Sequence, residues 1–217
     1  MKRKSLCNIL ALLLSIAAYA HNDSILLPKP AIYNGVQVKL DIASPAIVAG
    51  MSKGALQHYE LGVNVRLAQR FYPTLEAGYA GGKTAKGDSI SYTGHGGFFR
   101  VGCDINPLKK YPGSPHAMLI GVRIGTAVQQ SGHVLPDVAH KIGITADCWG
   151  EIVAGCQVEI AEVNNTAFYM GWLGRFKFLF TRDKAVLAND MKAIYIPGYG
   201  NRDTIGWGVN YYLGWRF

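Results

Sequence analysis

The 217-residue sequence predicts an all-β fold, eight antiparallel strands closed up-and-down into a barrel, on three observations. The first is its end. Val209, Tyr211, Leu213, Trp215 and Phe217 share one parity, while Asn210, Tyr212, Gly214 and Arg216 share the other. Side chains of a strand alternate between faces, so one face is apolar and aromatic and the other small or polar. In water such an edge invites aggregation. In a membrane barrel the last strand pairs with the first, no edge remains, and lipid accepts the apolar face. The second observation is that seven earlier segments alternate with the same period of two. The third is that their connections alternate long and short, with both termini on the short side, and that the strand count is even. Together they give a transmembrane β-barrel with short periplasmic turns and long extracellular loops.

The N-terminus agrees. Lys2, Arg3 and Lys4 precede an apolar run from Ile9 to Ala17 and then Ala18-Tyr19-Ala20, an Ala-x-Ala cleavage box. These are the parts of a secretory signal peptide, residues 1–20. Residues 21–31 then form a periplasmic N-terminal segment, and residues 32–217 form one outer-membrane barrel domain. Cys7 precedes the apolar run, so it is not a lipoprotein cysteine. No other stretch approaches the ~20 apolar residues of a membrane helix.

The strands follow in order. Strand one, near 32–43, sets Val36, Val38, Leu40 and Ile42 against Gln37, Lys39 and Asp41. Strand two, near 57–68, sets Tyr59, Leu61, Val63, Val65 and Leu67 against Glu60, Gly62, Asn64 and Arg66. Strand three, near 74–81, is shorter, with Leu75, Ala77 and Tyr79 opposing Glu76 and Gly78. Strand four, near 91–105, points Phe99, Val101, Cys103 and Ile105 outward and Arg100, Gly102 and Asp104 inward. Strand five, 116–128, sets Met118, Ile120, Val122, Ile124 and Val128 against Gly121, Arg123 and Gly125. Strand six, 148–161, sets Ile152, Ala154, Cys156, Val158 and Ile160 against Glu151, Gly155, Gln157 and Glu159. Strand seven, 166–180, sets Met170, Trp172, Phe176 and Phe178 against Gly171, Arg175 and Lys177. The eighth is 205–217. Long connections span 44–56, 82–90, 129–147 and 181–204; those at 69–73 and 162–165 are tight, and 106–115 is intermediate.

Composition fits. Gly 26 and Tyr 12 are high, and charged residues make up only 17%. Loss of Lys2, Arg3 and Lys4 lowers the formal charge from +8 to +5, an excess that anionic headgroups absorb. No basic stripe interleaves with exposed aromatics, so nucleic acid is not a partner. Cys103, Cys148 and Cys156 remain, an odd number, at spacings of neither a zinc site nor a redox pair. Cys103 and Cys156 lie on non-neighbouring strands and are small apolar residues rather than a disulfide. A soluble lipocalin-like barrel would turn the apolar face inward. Glycines sharing the parity of the charges, large aromatics on the apolar face near strand ends, and the terminal Phe217 favour the membrane form.

The inward set carries Lys39, Arg66, Arg100, Arg123, Arg175, Lys177 and Arg216 against Asp41, Glu60, Glu76, Asp104, Glu151 and Glu159. This is either a charged conduit for a solute or an internal salt-bridge network filling a narrow barrel. Unpaired charge shielded from water costs several kcal/mol, which favours the network. Ser91, Thr93 and His95 share a rim face, but a Ser–His hydrolase needs a carboxylate to orient the imidazole, and only Asp88 is near. His133, Asp137 and His140 have metal-ligand residue types, which the polarity of a loop explains as well. Lys53, Lys83, Lys86, Lys141, Arg182 and Lys184 fall in the long loops, where lipopolysaccharide phosphates would lie. Tyr195-Ile196-Pro197-Gly198-Tyr199 is a Pro-Gly turn between aromatics, either a partner-docking element or a loop folded back over the barrel mouth.

The same Tyr195-Ile196-Pro197-Gly198-Tyr199, followed by Gly206-Trp207-Gly208-Val209-Asn210-Tyr211, resembles the end of a family of small uncharacterised outer-membrane barrels from Bacteroidota. Trp149-Gly150-Glu151-Ile152-Val153-Ala154-Gly155-Cys156-Gln157-Val158-Glu159 and Phe99-Arg100-Val101-Gly102-Cys103-Asp104 resemble its sixth and fourth strands. The similarity spans about Tyr92 to the C-terminus and is looser before it. These motifs are structural, so the resemblance implies fold and location and no active site. The expected protein is a non-enzymatic barrel of the Gram-negative cell outer membrane, structural or interacting through its surface loops. It has no catalytic, cofactor-binding or metal residues and no cofactor. Its expected partners are outer-membrane lipids, lipopolysaccharide and an envelope protein, and it is a monomer rather than an oligomer. A narrow solute channel and a lipid-modifying enzyme are the competing functions.

Overall fold

A computed structural model describes residues 32–45, 56–68, 70–86, 90–108, 116–134, 139–164, 166–181 and 195–217. The expected signal peptide and the segment 21–31 lie outside the described residues.

Alternation of apolar and polar residues becomes ten strands: β1 Tyr33–Asp41, β2 Leu56–Leu67, β3 Phe71–Lys86, β4 Ile90–Ile105, β5 Ala117–Val134, β6 Ala139–Val163, β7 Thr166–Leu179, β8 Tyr195–Ile196, β9 Gly200–Asn201 and β10 Ile205–Arg216. Eight of them close into an antiparallel barrel in the order β1-β10-β7-β6-β5-β4-β3-β2; β8 and β9 pair only with each other. Closure joins the two ends of the chain's sheet, with Val38 opposite Trp215 and Leu40 opposite Leu213.

The stagger can be read from the register. Starting at Gln37 and stepping through Asn64, Thr74, Gly102, Arg123, Glu151 and Lys177 leads to Gly206 on β10. Gln37 itself pairs with Arg216, ten residues further along. Eight strands with that shear tilt by roughly 40° on a backbone radius of about 8 Å, a size that side chains fill.

Burial assigns the faces. Gln37, Lys39, Glu60, Asn64, Glu76, Arg100, Asp104, Arg123, Glu151 and Arg175 are all buried, while Leu61, Leu75, Val122, Ile152, Trp172 and Val209 are exposed. The apolar face is the outer one, around the whole circumference, far larger than the apolar patch of an ordinary soluble monomer.

Two expectations need correction. β3 is 16 residues long, not a short strand ending near Gly81, and the connections expected at 82–90 and 129–147 are largely paired strand. Among the described residues, β2–β3 pairing stops at Gly82 and β6–β7 pairing at Trp149, whereas β3–β4 runs to Lys86 and β5–β6 to Val134. Strands β3 to β6 thus rise as a sheet beyond the rest of the rim. Alternation fades there because neither face of that sheet is uniformly apolar, although the backbone ladder continues.

The lumen is layered. Towards the short-turn end Tyr72, Ala117, Leu119, Tyr169, Leu173 and Tyr212 pack together. Towards the other end lie Phe98, Ala127, Trp149, Leu179, Ile196 and Tyr199. The charged residues occupy the space between. These inward aromatics share the parity of the charges, and that parity is the signal from which they could have been read.

Candidate functional site

Two arginines on β4 and β7 and three glutamates on β2, β3 and β6 organise the charged layer. Arg100 reaches Glu60 at 2.8 Å, Glu76 at 3.0 Å and Glu151 at 3.1 Å. Arg175 reaches the same three, at 2.9, 3.0 and 2.8 Å. A planar guanidinium, with its fork of five N–H donors, serves three carboxylates at once in a fixed geometry. Glu76 also takes Lys39 and Arg123, each at 2.7 Å. Arg123 continues to Asp104 at 2.8 Å. Asn210 accepts from Arg175 Nε and donates to Asp41, whose carboxylate also takes the backbone N–H groups of Ala43 and Ser44. Nearer the short turns, Arg216 pairs with Glu159 at 3.0 Å. Every base and acid of the expected inward set therefore faces the lumen.

A cavity of about 10 Å³, lined among others by Lys39, Asp41, Glu60, Asn210 and Tyr212, has room for no more than about one water. Ligand atoms of Asp41, His58 and Glu60 lie within 4.8 Å of one another. The two carboxylates already accept from Asn210, Arg100 and Arg175, and those guanidiniums oppose a cation at the same place. His58 lies 3.5 Å from Glu60 through Nε2 and stacks on Phe98 at 5.3 Å.

Above this layer the Pro-Gly turn forms a plug. Ile196, Pro197, Gly198 and Tyr199 are buried, so of the two readings of this segment the structure shows the loop folded into the mouth. Gly198 has φ +75°, and a Cβ there would sit 2.5 Å from the Phe98 ring. Only glycine fits both the backbone and the space. Arg100 Nη2 donates to the Gly198 carbonyl at 3.1 Å, and Lys177 Nζ donates to Gly198 O at 2.8 Å and Tyr199 O at 3.0 Å. Tyr199 meets Trp149 edge-on at 5.8 Å. Burial raises the pKa of the Tyr199 phenol, which donates to the Asp203 carbonyl at 2.6 Å. At the rim Arg202 grips Asp147 through two bonds of 2.6 and 3.1 Å, and Thr181 donates to the same carboxylate. Alternation could not reveal the plug, which is too short to carry a period.

The remaining candidates do not assemble into a site among the described residues. Thr93 and His95 lie on β4 facing β5, with Thr93 donating to the Gly132 carbonyl at 3.3 Å; Asp88 lies outside the described residues. His133 and His140 are register partners, while Asp137 lies outside the described residues, as do Lys53, Arg182 and Lys184. Cys103, Cys148 and Cys156 are free thiols.

No curated protein matches the chain. A domain of unknown function, DUF6048, matches residues 3–216, a wider span than the motifs after Tyr92. With nearly its whole length covered, the chain belongs to the DUF6048 family.

Proposed function

We propose that this protein is a non-enzymatic β-barrel of the Gram-negative outer membrane, exported by its signal peptide, with a structural or interaction role exercised through its surface loops. The observation that carries the reading is the closed barrel whose outer face is apolar all round while its charges are buried inside. Lipid is the solvent that suits such a surface, and closure leaves no unpaired edge within it. The short-turn end with both termini is then periplasmic. The plug and the upstanding β3–β6 sheet face outward, towards lipopolysaccharide and an envelope partner, with the protein a monomer. The resemblance to Bacteroidota barrels agrees with this placement.

The filled lumen supports a structural rather than a conducting role, and among the described residues no arrangement of nucleophile, base and orienting carboxylate favours lipid chemistry. The test is fractionation followed by electrophoresis with and without boiling. A membrane-fraction band that runs fast unboiled and shifts on boiling is the expected result. An unshifted band from the soluble periplasm would overturn the proposal.

A further inference from the structure

The plug occupies its seat as a ligand would. Its side chains Ile196 and Tyr199 lie among Phe98, Ala127, Trp149 and Leu179, while its carbonyl oxygens face Arg100 and Lys177. Hairpin β8–β9 shares no ladder with the barrel, so withdrawing it breaks no barrel pairing. Lys177 has no carboxylate within ion-pair distance among the described residues; its buried ammonium is met there by two neutral carbonyls. A carboxylate makes the stronger, charge-assisted bonds to the same donors. On β4, β6 and β7 the apolar wall residue lies two positions above a charged one, Phe98 above Arg100, Trp149 above Glu151 and Leu179 above Lys177, which is about 5–7 Å of depth.

From this geometry we infer that the plug is a removable lid over a binding pocket for a small aromatic carboxylate. The ring sits between Phe98 and Trp149, and the carboxylate replaces the Gly198 and Tyr199 carbonyls on Lys177 and Arg100. The pocket depends on the barrel mouth alone and can be tested in detergent wherever the protein resides in the cell.

Trp149 is the reporter, because Trp172, Trp207 and Trp215 point outward and can be changed to Phe. Gly198→Ala unseats the plug while keeping both cations. Arg202→Ala, which removes only the rim pair with Asp147, serves if the first variant loses its compact unboiled band. In the opened protein, acrylamide quenching of Trp149 rises several-fold over the parent. There 4-iodobenzoate quenches at roughly tenfold lower concentration than neutral 4-iodobenzamide, the size of one charge-assisted contact. Adding Lys177→Met lowers that preference several-fold, to what Arg100 alone supplies. The inference is overturned if neither opening variant changes acrylamide access, if acid and amide quench alike, or if Lys177→Met leaves the preference undiminished.

Discussion

At the scale of single residues, the lumen is held by charges that have no alternative to one another. Glu76 is fully buried and meets Lys39, Arg100, Arg123 and Arg175. An amide at this position keeps the shape and removes the charge, leaving four cations to share fewer anions away from water. Removing one partner of a buried ion pair costs about 3–5 kcal/mol, whereas surface changes stay within about 0.5 kcal/mol. Glu76→Gln is therefore expected to lower the free energy of unfolding in micelles, read from the urea midpoint and slope, by that larger amount, and Glu162→Gln, on the exposed end of β6, to leave it unmoved. Equal midpoints would mean that the network is hydrated and loosely held.

At the scale of elements, β6 and β7 show how far one ladder discriminates between glycines. At Gly155, facing inward, an added Cβ would lie 1.9 Å from the Trp172 carbonyl oxygen, so β6 and β7 would have to part. At Gly174, facing outward, the nearest atoms would be the Ala154 carbonyl oxygen at 3.5 Å and the Trp172 ring at 3.8 Å, ordinary contact distances. Gly155→Val is expected to abolish the compact unboiled band. Gly174→Val is expected to keep it and to gain up to about 1 kcal/mol from the β preference of valine. The strands themselves were legible from parity, since Val122 and Arg123 or Ile152 and Glu151 must face opposite ways. The tops of β3 and β6 were not, because above the apolar band both faces are mixed and only backbone pairing continues. The inward charges were legible as a set, but their pairing was not: Arg100 and Glu60 lie 40 residues apart, and closure alone brings them together. The seat of the plug was invisible for the same reason, since Gly198 meets Phe98 only across the mouth.

At the scale of the whole molecule, the open question is which solvent surrounds the apolar band, and depth answers it where exposure does not. Val122 and Ile144 are both exposed, 63% and 76%, so in water an arginine would suit either place. Val122 lies near mid-height of the band on β5, opposite Ile152 of β6. Ile144 stands eight residues above Ile152 on the same strand, which is about 20 Å along the axis at a tilt of roughly 40°. An outer-membrane barrel carries an apolar band about 25 Å tall, and an arginine at its midplane costs about 2–4 kcal/mol, falling towards zero at the interface. Ile144, about 20 Å from the middle, lies beyond the half-height of such a band. In lipid vesicles Val122→Arg is thus expected to destabilise the folded barrel by that amount while Ile144→Arg leaves it within about 0.5 kcal/mol of the parent. Equal, small effects of the two substitutions on unfolding would place water around the whole barrel and remove the membrane from the account.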